Sequence, residues 1–311
     1  MKLGRERRRQ VGPFGRASRG LGRPVGLLGR ASRGLGRPVG LLGRASRGLG
    51  RPVRLLGRAL ANTVSRDMEF RADLLLRLAG NTLEVAAPLL FFGLVYLELP
   101  AVGGWTLPQT LVVVATNSIV SSLHAAFFAG VGSLPRLVES GELDRLLVRP
   151  VSVRFQLVTA RIEYEALANL VPALAVLAYA VPRLGPDLPV TPWSALAYAV
   201  LVLAGLWFRH TLTFLVLTLS FWLVRVYALH SLVDEFLVIT RYPAGVFGGA
   251  ARVVFSFIVP VLVVANFPAM ALWGALGWAT AAGGLAAVGV LSWAAARLWS
   301  TGLAAYTSAG G

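Results

Sequence analysis

The sequence predicts an all-α polytopic membrane protein with six transmembrane helices. Three observations carry that prediction. Of 311 residues, 56% are hydrophobic and 14% are charged, whereas soluble domains carry about 25% charged residues. Apolar runs of about 20 residues, the length a helix needs to cross the hydrocarbon layer, recur along the chain. The 37 residues from Leu99 to Pro135 contain no Asp, Glu, Lys or Arg. A water-soluble core of this composition would leave almost no polar surface to cover it. The chain has no cysteine, which excludes disulfides, thiolate metal sites and Cys nucleophiles.

Two domains are expected, a disordered basic arm over 1–58 and a membrane domain over 59–311. The arm holds 16 of the 30 Lys and Arg residues and one acid, Glu6. Residues 15–56 are three tandem copies of the 14-residue unit GRASRGLGRPVGLL, with Arg54 replacing Gly in the third. Each copy carries several Gly and one Pro, so neither helix nor strand runs through it. The arm has no uninterrupted apolar core of a secretory signal. Its charge suits anionic lipid or nucleic acid; it also reads as a repeat expansion without a role. No nucleic-acid partner is expected for the protein as a whole. The remaining 253 residues are close to neutral.

From Ala59 to Arg77 the pattern is amphipathic, with Leu60, Val64 and Met68 at helical spacing and charges on other faces. This predicts an N-terminal helix lying at the membrane interface. Span one is expected at Leu78–Leu97, span two at Leu107–Gly130, span three at Ala166–Val181 and span four at Trp193–Leu223. The last is expected at Trp278–Ala296. Between spans four and last two readings stand. Hydropathy prefers 253–271 as span five, although Pro260 and Pro268 break it. The alternative makes 226–247 span five and 253–271 a re-entrant helix pair on the outer side, which lipid forbids unless protein covers it. Both readings leave both termini in the cytoplasm.

Arginine sets the orientation. The segment between spans two and three holds Arg136, Arg145, Arg149, Arg154 and Arg161, whereas 98–106 and 182–192 hold Arg183 between them. Positive connectors stay inside, so the protein is expected to be a multi-pass protein of a bacterial-type plasma membrane with the 135–150 connector in the cytoplasm.

That connector, Pro135–Pro150, is short, highly charged and amphipathic. Leu137, Val138, Leu143, Leu146 and Leu147 can form an apolar docking face. Glu139, Glu142, Asp144, Arg145 and Arg149 offer charge pairing, and Gly141 bends or interrupts the helix. The plainer reading is a loop helix lying on the bilayer.

Within the spans, ionised groups must face protein or water. Glu84 lines a pathway or pairs with an Arg of a neighbouring helix. Arg209 and His210 contact an anionic substrate group or serve packing and snorkelling. Asp234 and Glu235 are coupling acids of an ion-driven carrier or a polar seam near Arg225 or Arg241. His124 is expected to donate an interhelical hydrogen bond. Lys2 is the one lysine, so no phosphate-binding GxxxxGK[ST] loop exists. The scattered histidines His124, His210 and His230 have no metal-ligand spacing, and no GxSxG is present. An enzyme is not expected.

Several pieces of the sequence resemble the membrane subunits of ABC exporters, in the ABC type-2 permease class and its branch of poorly characterised permeases. They are Met68-Glu-Phe-Arg-Ala-Asp-Leu-Leu-Leu76, Gly103-Gly-Trp-Thr106 and Ser140-Gly-Glu-Leu-Asp-Arg-Leu-Leu-Val-Arg-Pro150, with Phe221-Trp-Leu-Val-Arg225, Thr240-Arg-Tyr-Pro243 and Ala305-Tyr-Thr-Ser308. Together they extend over about residues 60–308, and the ordered set is more specific than any one piece. The resemblance implies a six-span permease that exports its substrate and works with separate cytoplasmic nucleotide-binding ATPase subunits. ATP and Mg would sit on those partners, with no cofactor in this chain. It implies a second permease, identical or related, completing the pathway. It places the coupling helix at Pro135–Pro150, and it favours 226–247 as span five followed by the outer re-entrant pair. An ion-coupled secondary transporter is the alternative function.

Overall fold

The computed structural model describes residues 71–185, 190–223 and 226–307; the side chains of 71–79, 81, 82, 84, 85 and 227–229 are outside that description. The predicted arm and residues 59–70 of the predicted interface helix lie outside the described residues. Among those described the chain is helical, with no strand beyond one isolated bridge between Val102 and Trp105.

Four helical segments are long and apolar enough to cross a membrane: Leu107–Glu139, Tyr164–Arg183, Pro192–Phe221 and Trp278–Ala305. They cover spans two, three, four and last, and the last helix runs nine residues beyond the predicted Ala296. Helix α1 (Arg71–Glu98) contains the whole of predicted span one and carries Pro88 inside it; its apolar part is Ala86–Glu98. Helix α2 (Leu107–Phe128) starts with Thr106 as N-cap, where the Thr106 amide donates to Gln109 Oε1 at 2.9 Å, and has Pro108 in its first turn. Both features satisfy or remove orphan amides of the helix start. Helix α2 is the central element, with Val112, Val113, Val114 and Val120 at 1% exposure or less.

After α2 the chain turns through a 3-10 segment into α3 (Leu134–Glu139), α4 (Asp144–Leu147) and α5 (Val153–Ala160). Helix α6 (Leu170–Ala180) and helix α7 (Pro192–Thr218) follow as spans three and four. The start of α7 repeats the capping logic. Thr191 Oγ1 accepts from the Ser194 amide at 3.1 Å, and Pro192 opens the helix.

Between α7 and the last helix, no single helix among the described residues is long and apolar enough to cross a membrane by itself. Helix α8 (Val226–Leu237) ends in a 3-10 turn at Arg241. Helix α9 (Gly249–Val253) passes into a π turn at 254–258, and α10 (Asn266–Leu272) is short. The long helix α11 (Trp278–Ala305) closes the fold. Pro260 cannot donate an amide to a helix ladder, and 253–271 breaks there, whereas Pro268 falls in the first turn of α10, where no amide partner is needed. The break is covered by protein. Val261, Leu262, Val263, Val264, Ala265 and Asn266 are at most 1% exposed. Gly205 in the middle of α7 makes this possible: a Cβ there would stand 2.8 Å from the Val264 carbonyl oxygen and Cα. At that end of the bundle Trp105 meets Trp273 edge to face at 5.2 Å between centroids, so the broken segment shares its end with the 99–106 loop. The connector α3–α5 is at the opposite end, clustered with Leu217, Trp299 and Tyr306.

Candidate functional site

Two places combine charge with exposure: a polar cavity inside the bundle and the connector at its end. The cavity, about 610 Å³, is lined from α1, α2, the 164–169 turn, α7 and α8. Helix α2 contributes Asn117, Ser118, Ser121, Ser122 and Ala125. These fall at i, i+4, i+8 and i+1, i+5, so one helical face is polar. From α7 comes Arg209. Its side chain is only 14% exposed, and it donates from Nη2 to Asp234 Oδ1 at 3.2 Å and from Nη1 to Ser121 Oγ at 3.4 Å. His230, one turn before Asp234, is 3.9 Å from the other carboxylate oxygen. Glu163, Glu165, Glu235 and Arg241 complete the charged lining, and Arg161 pairs with Glu163 at 2.9 Å.

One end of the cavity is sealed by a buried polar layer. The Thr240 hydroxyl shares its proton between Asn117 Oδ1 at 2.5 Å and the Leu237 carbonyl at 2.6 Å. Asn266 Nδ2 donates to the carbonyls of Thr240 and Tyr242 at 3.4 and 3.2 Å. Those carbonyls are orphaned where the α8 helix stops, and the Asn266 amide takes them up in a place water does not reach.

The structure thus gathers Arg209, Asp234 and Glu235 into one cavity. His210 is next to Arg209 in sequence but faces elsewhere. Its ring stacks on Phe128 at 4.2 Å and lies 6.0 Å from Phe214. Glu84 is on α1, with its side chain outside the described residues. His124 stacks on Phe128 at 5.6 Å, and its buried Nε2 has no hydrogen-bond partner among the described residues; the expected interhelical donation is not made by that atom. The serines and Asn117 on α2 were missed in the sequence reading, as were Glu163 and Glu165. The four-residue spacing of Asn117, Ser121 and Ala125 was the available signal.

At the connector, Gly141 has φ of +71°, a left-handed conformation a side chain would strain. It turns the chain between α3 and α4, where the Leu143 amide reaches back to the Leu137 carbonyl at 3.0 Å. Leu143 is fully buried, and Leu137, Val138 and Leu146 pack against the same cluster with Leu134, Leu217 and Trp299. These leucines seat the elbow in its own protein. The exposed apolar groups are Leu147 at 40%, Val148 at 84% and Val151 at 45%. Glu142 bridges Arg136 at 3.6 Å and Arg145 at 3.2 Å, while Glu139 and Arg149 point to solvent. The Tyr306 phenol is held above its usual pKa by burial and by the charge of Asp144. Beside the connector lies a cleft of about 810 Å³ lined in part by Arg136, Arg149 and Arg161. Among the described residues no group of three or more His, Asp or Glu side chains is placed to hold a metal ion.

The family profile described as ABC-2 family transporter protein matches residues 82–310. Comparison with curated proteins and with solved structures returned no match.

Proposed function

We propose, from the premise that this chain belongs to the ABC-2 family of transporter proteins, that it is the permease subunit of an ATP-driven export system and forms half of the translocation pathway. The family and the apolar helices make it a multi-pass membrane protein and a permease component. In this reading α1, and α8 continued by its 3-10 turn to Arg241, complete six crossings with the four long helices. The connector faces the cytoplasm by its arginines, and the broken 249–272 pair faces outside.

The observation that carries the coupling role is the connector's divided character. Leu143 and its neighbours lock it to the ends of α7 and α11, while Leu147, Val148 and Val151 stay exposed beside an arginine-lined cleft. A rigid elbow with an apolar, basic outer face fits a separate nucleotide-binding subunit. Closure of that subunit on ATP would move the elbow, and the elbow would move α7, which carries Arg209 into the cavity. The cavity is the pathway half offered by this chain, and a second permease supplies the other half.

The test is co-purification of the full chain with an ATPase bearing Walker motifs. The Val148→Asp and Arg149→Glu double variant is expected to keep the permease folded and to lose the ATPase. Retained assembly and retained ATPase stimulation would remove the docking assignment. Transport that follows the proton gradient and ignores ATP would replace it with the ion-coupled reading, for which Glu84, Asp234 and Glu235 are the candidate coupling acids.

A further inference from the structure

A second concavity, about 270 Å³, opens between α7 and α11 near the connector and is separate from the polar cavity. Its walls are Phe128, Val131, Phe155, Val158, Trp207 and Phe214, with Arg154 at its mouth. No Asp or Glu lines it. The Arg154 guanidinium lies 5.1 Å over the Phe214 ring and 5.5 Å over Trp299, and donates to the Ala296 carbonyl at 3.3 Å. One residue on, Arg297 lies 5.5 Å over Trp293. Neither arginine has a carboxylate partner among the described residues. A partly buried cation without a counter-ion is costly, and a charge-assisted bond to a phosphate would offset that cost.

The depth of the groove orders its chemistry. Arg154 and Arg297 stand at the connector end, where arginines mark the membrane–water boundary. Further in are His210, whose buried Nδ1 has no hydrogen-bond partner among the described residues, and Thr211. Deeper still, Trp207 donates from Nε1 to Ser292 Oγ at 3.0 Å and is half exposed. Leu203 and Trp293 on the flanking helix surfaces are more than 60% exposed, as residues facing hydrocarbon are. Arg154 at the mouth with Arg297 on the adjoining surface of α11, then polar donors, then an apolar slot open to the bilayer is the sequence of groups met along one phospholipid from phosphate to ester to acyl chain.

We propose that this groove binds one anionic phospholipid of the leaflet on the connector side, its phosphate on Arg154 and Arg297 and one acyl chain along Trp207 and Phe155. The site touches α5 of the connector as well as α7 and α11. A lipid seated there tightens the hold between the connector and the two spans. The proposal needs the chain to be in a membrane and does not need the export reading.

The test is native mass spectrometry of the delipidated full chain with phosphatidylglycerol, phosphatidylcholine or inorganic phosphate as the added probe. Wild type is expected to retain phosphatidylglycerol about tenfold better than phosphatidylcholine, whose phosphate is the same but whose choline cation offsets its charge and is repelled by the two arginines. The Arg154→Gln Arg297→Gln double variant is expected to lose that preference. Arg297→Gln alone, at an exposed position, is expected to lose part of it with the fold intact. Ser292→Phe, which fills the acyl slot and leaves both arginines, is expected to reduce retention of both lipids. Unchanged preference in the double variant overturns the proposal. So does displacement of the lipid by millimolar inorganic phosphate, or a crosslink showing a second copy of the chain seated in the groove.

Discussion

At one end of the bundle the chain breaks between Pro260 and Trp273 and buries the break; at the other it breaks between Leu134 and Arg161 and leaves much of the break exposed. Both segments interrupt helices, and both therefore release backbone groups from the helix ladder. In the first, the interruption has no Asp, Glu, Lys or Arg from Val253 through Trp273, and protein meets its backbone groups: the amides of Val263, Val264 and Ala269 donate to the carbonyls of Pro260, Val261 and Ala265, while the Asn266 side chain ties the break to the Thr240 and Tyr242 carbonyls. In the second, Arg136, Glu142, Arg145 and Arg149 surround the turn at Gly141, and water completes what protein does not. The difference teaches that a broken helix is permitted at either end of a membrane bundle, but by different covers: packed side chains in one case, solvent in the other.

The contrast can be broken most sharply at Gly205. A leucine there would drive into the Val264 backbone. Overpacking against rigid backbone is expected to cost about 3 kcal/mol or more, and the yield of monodisperse protein on size exclusion is expected to collapse. A normally folded Gly205→Leu protein would show that the buried break is not held where the structure places it. Next in size is Leu143→Ala. Removing the fully buried anchor of the connector should cost about 3 kcal/mol, read as a lower melting temperature. Asn266→Leu keeps the branched shape and strands two carbonyls, with an expected loss of about 1–3 kcal/mol. At the exposed face Val148→Asp should move the melting temperature by less than about 0.5 kcal/mol equivalent while removing ATPase binding. The smallest overall effect, with stability changed little and ATPase binding kept, is expected from Glu142→Lys, because exposed ion pairs such as its two contribute about 0–1 kcal/mol each. That effect should shrink further at high salt. If Glu142→Lys proved more damaging than Asn266→Leu, the two ends would have been assigned the wrong covers.

Much of this fold was legible in the chain. Spans two, three and four stand within a few residues of where hydropathy puts them, because a helix crossing lipid must be apolar over about 20 residues whatever packs beside it. Capping residues such as Thr106 and Thr191 mark two of the starts. The region 226–272 was legible only in part. Hydropathy put a crossing at 253–271, which is broken and largely buried, as the reading with a re-entrant pair there expected; 226–247 is α-helical over Val226–Leu237 and then passes into 3-10 turns. Hydropathy measures the wish to leave water, which a fully buried hairpin and a spanning helix share. Arg209, Asp234 and Glu235 were marked as costly charges in spans, but their meeting in one cavity depends on α7 and α8 lying side by side. His210 illustrates the converse. It adjoins Arg209 in sequence, yet one residue is about 100° around a helix, and the neighbouring side chain belongs to a different surface.

Composition and spacing by themselves determined that the chain belongs in a membrane, where four of its helices run, and which connector carries the charge. These follow from solvation, which acts on each segment separately. The tertiary structure decided which leucines of the connector are anchor and which are surface, how the 260–273 break escapes lipid, and which polar residues share a cavity. Those outcomes depend on which helix faces touch, and contact between distant segments is not encoded in the polarity of either one alone.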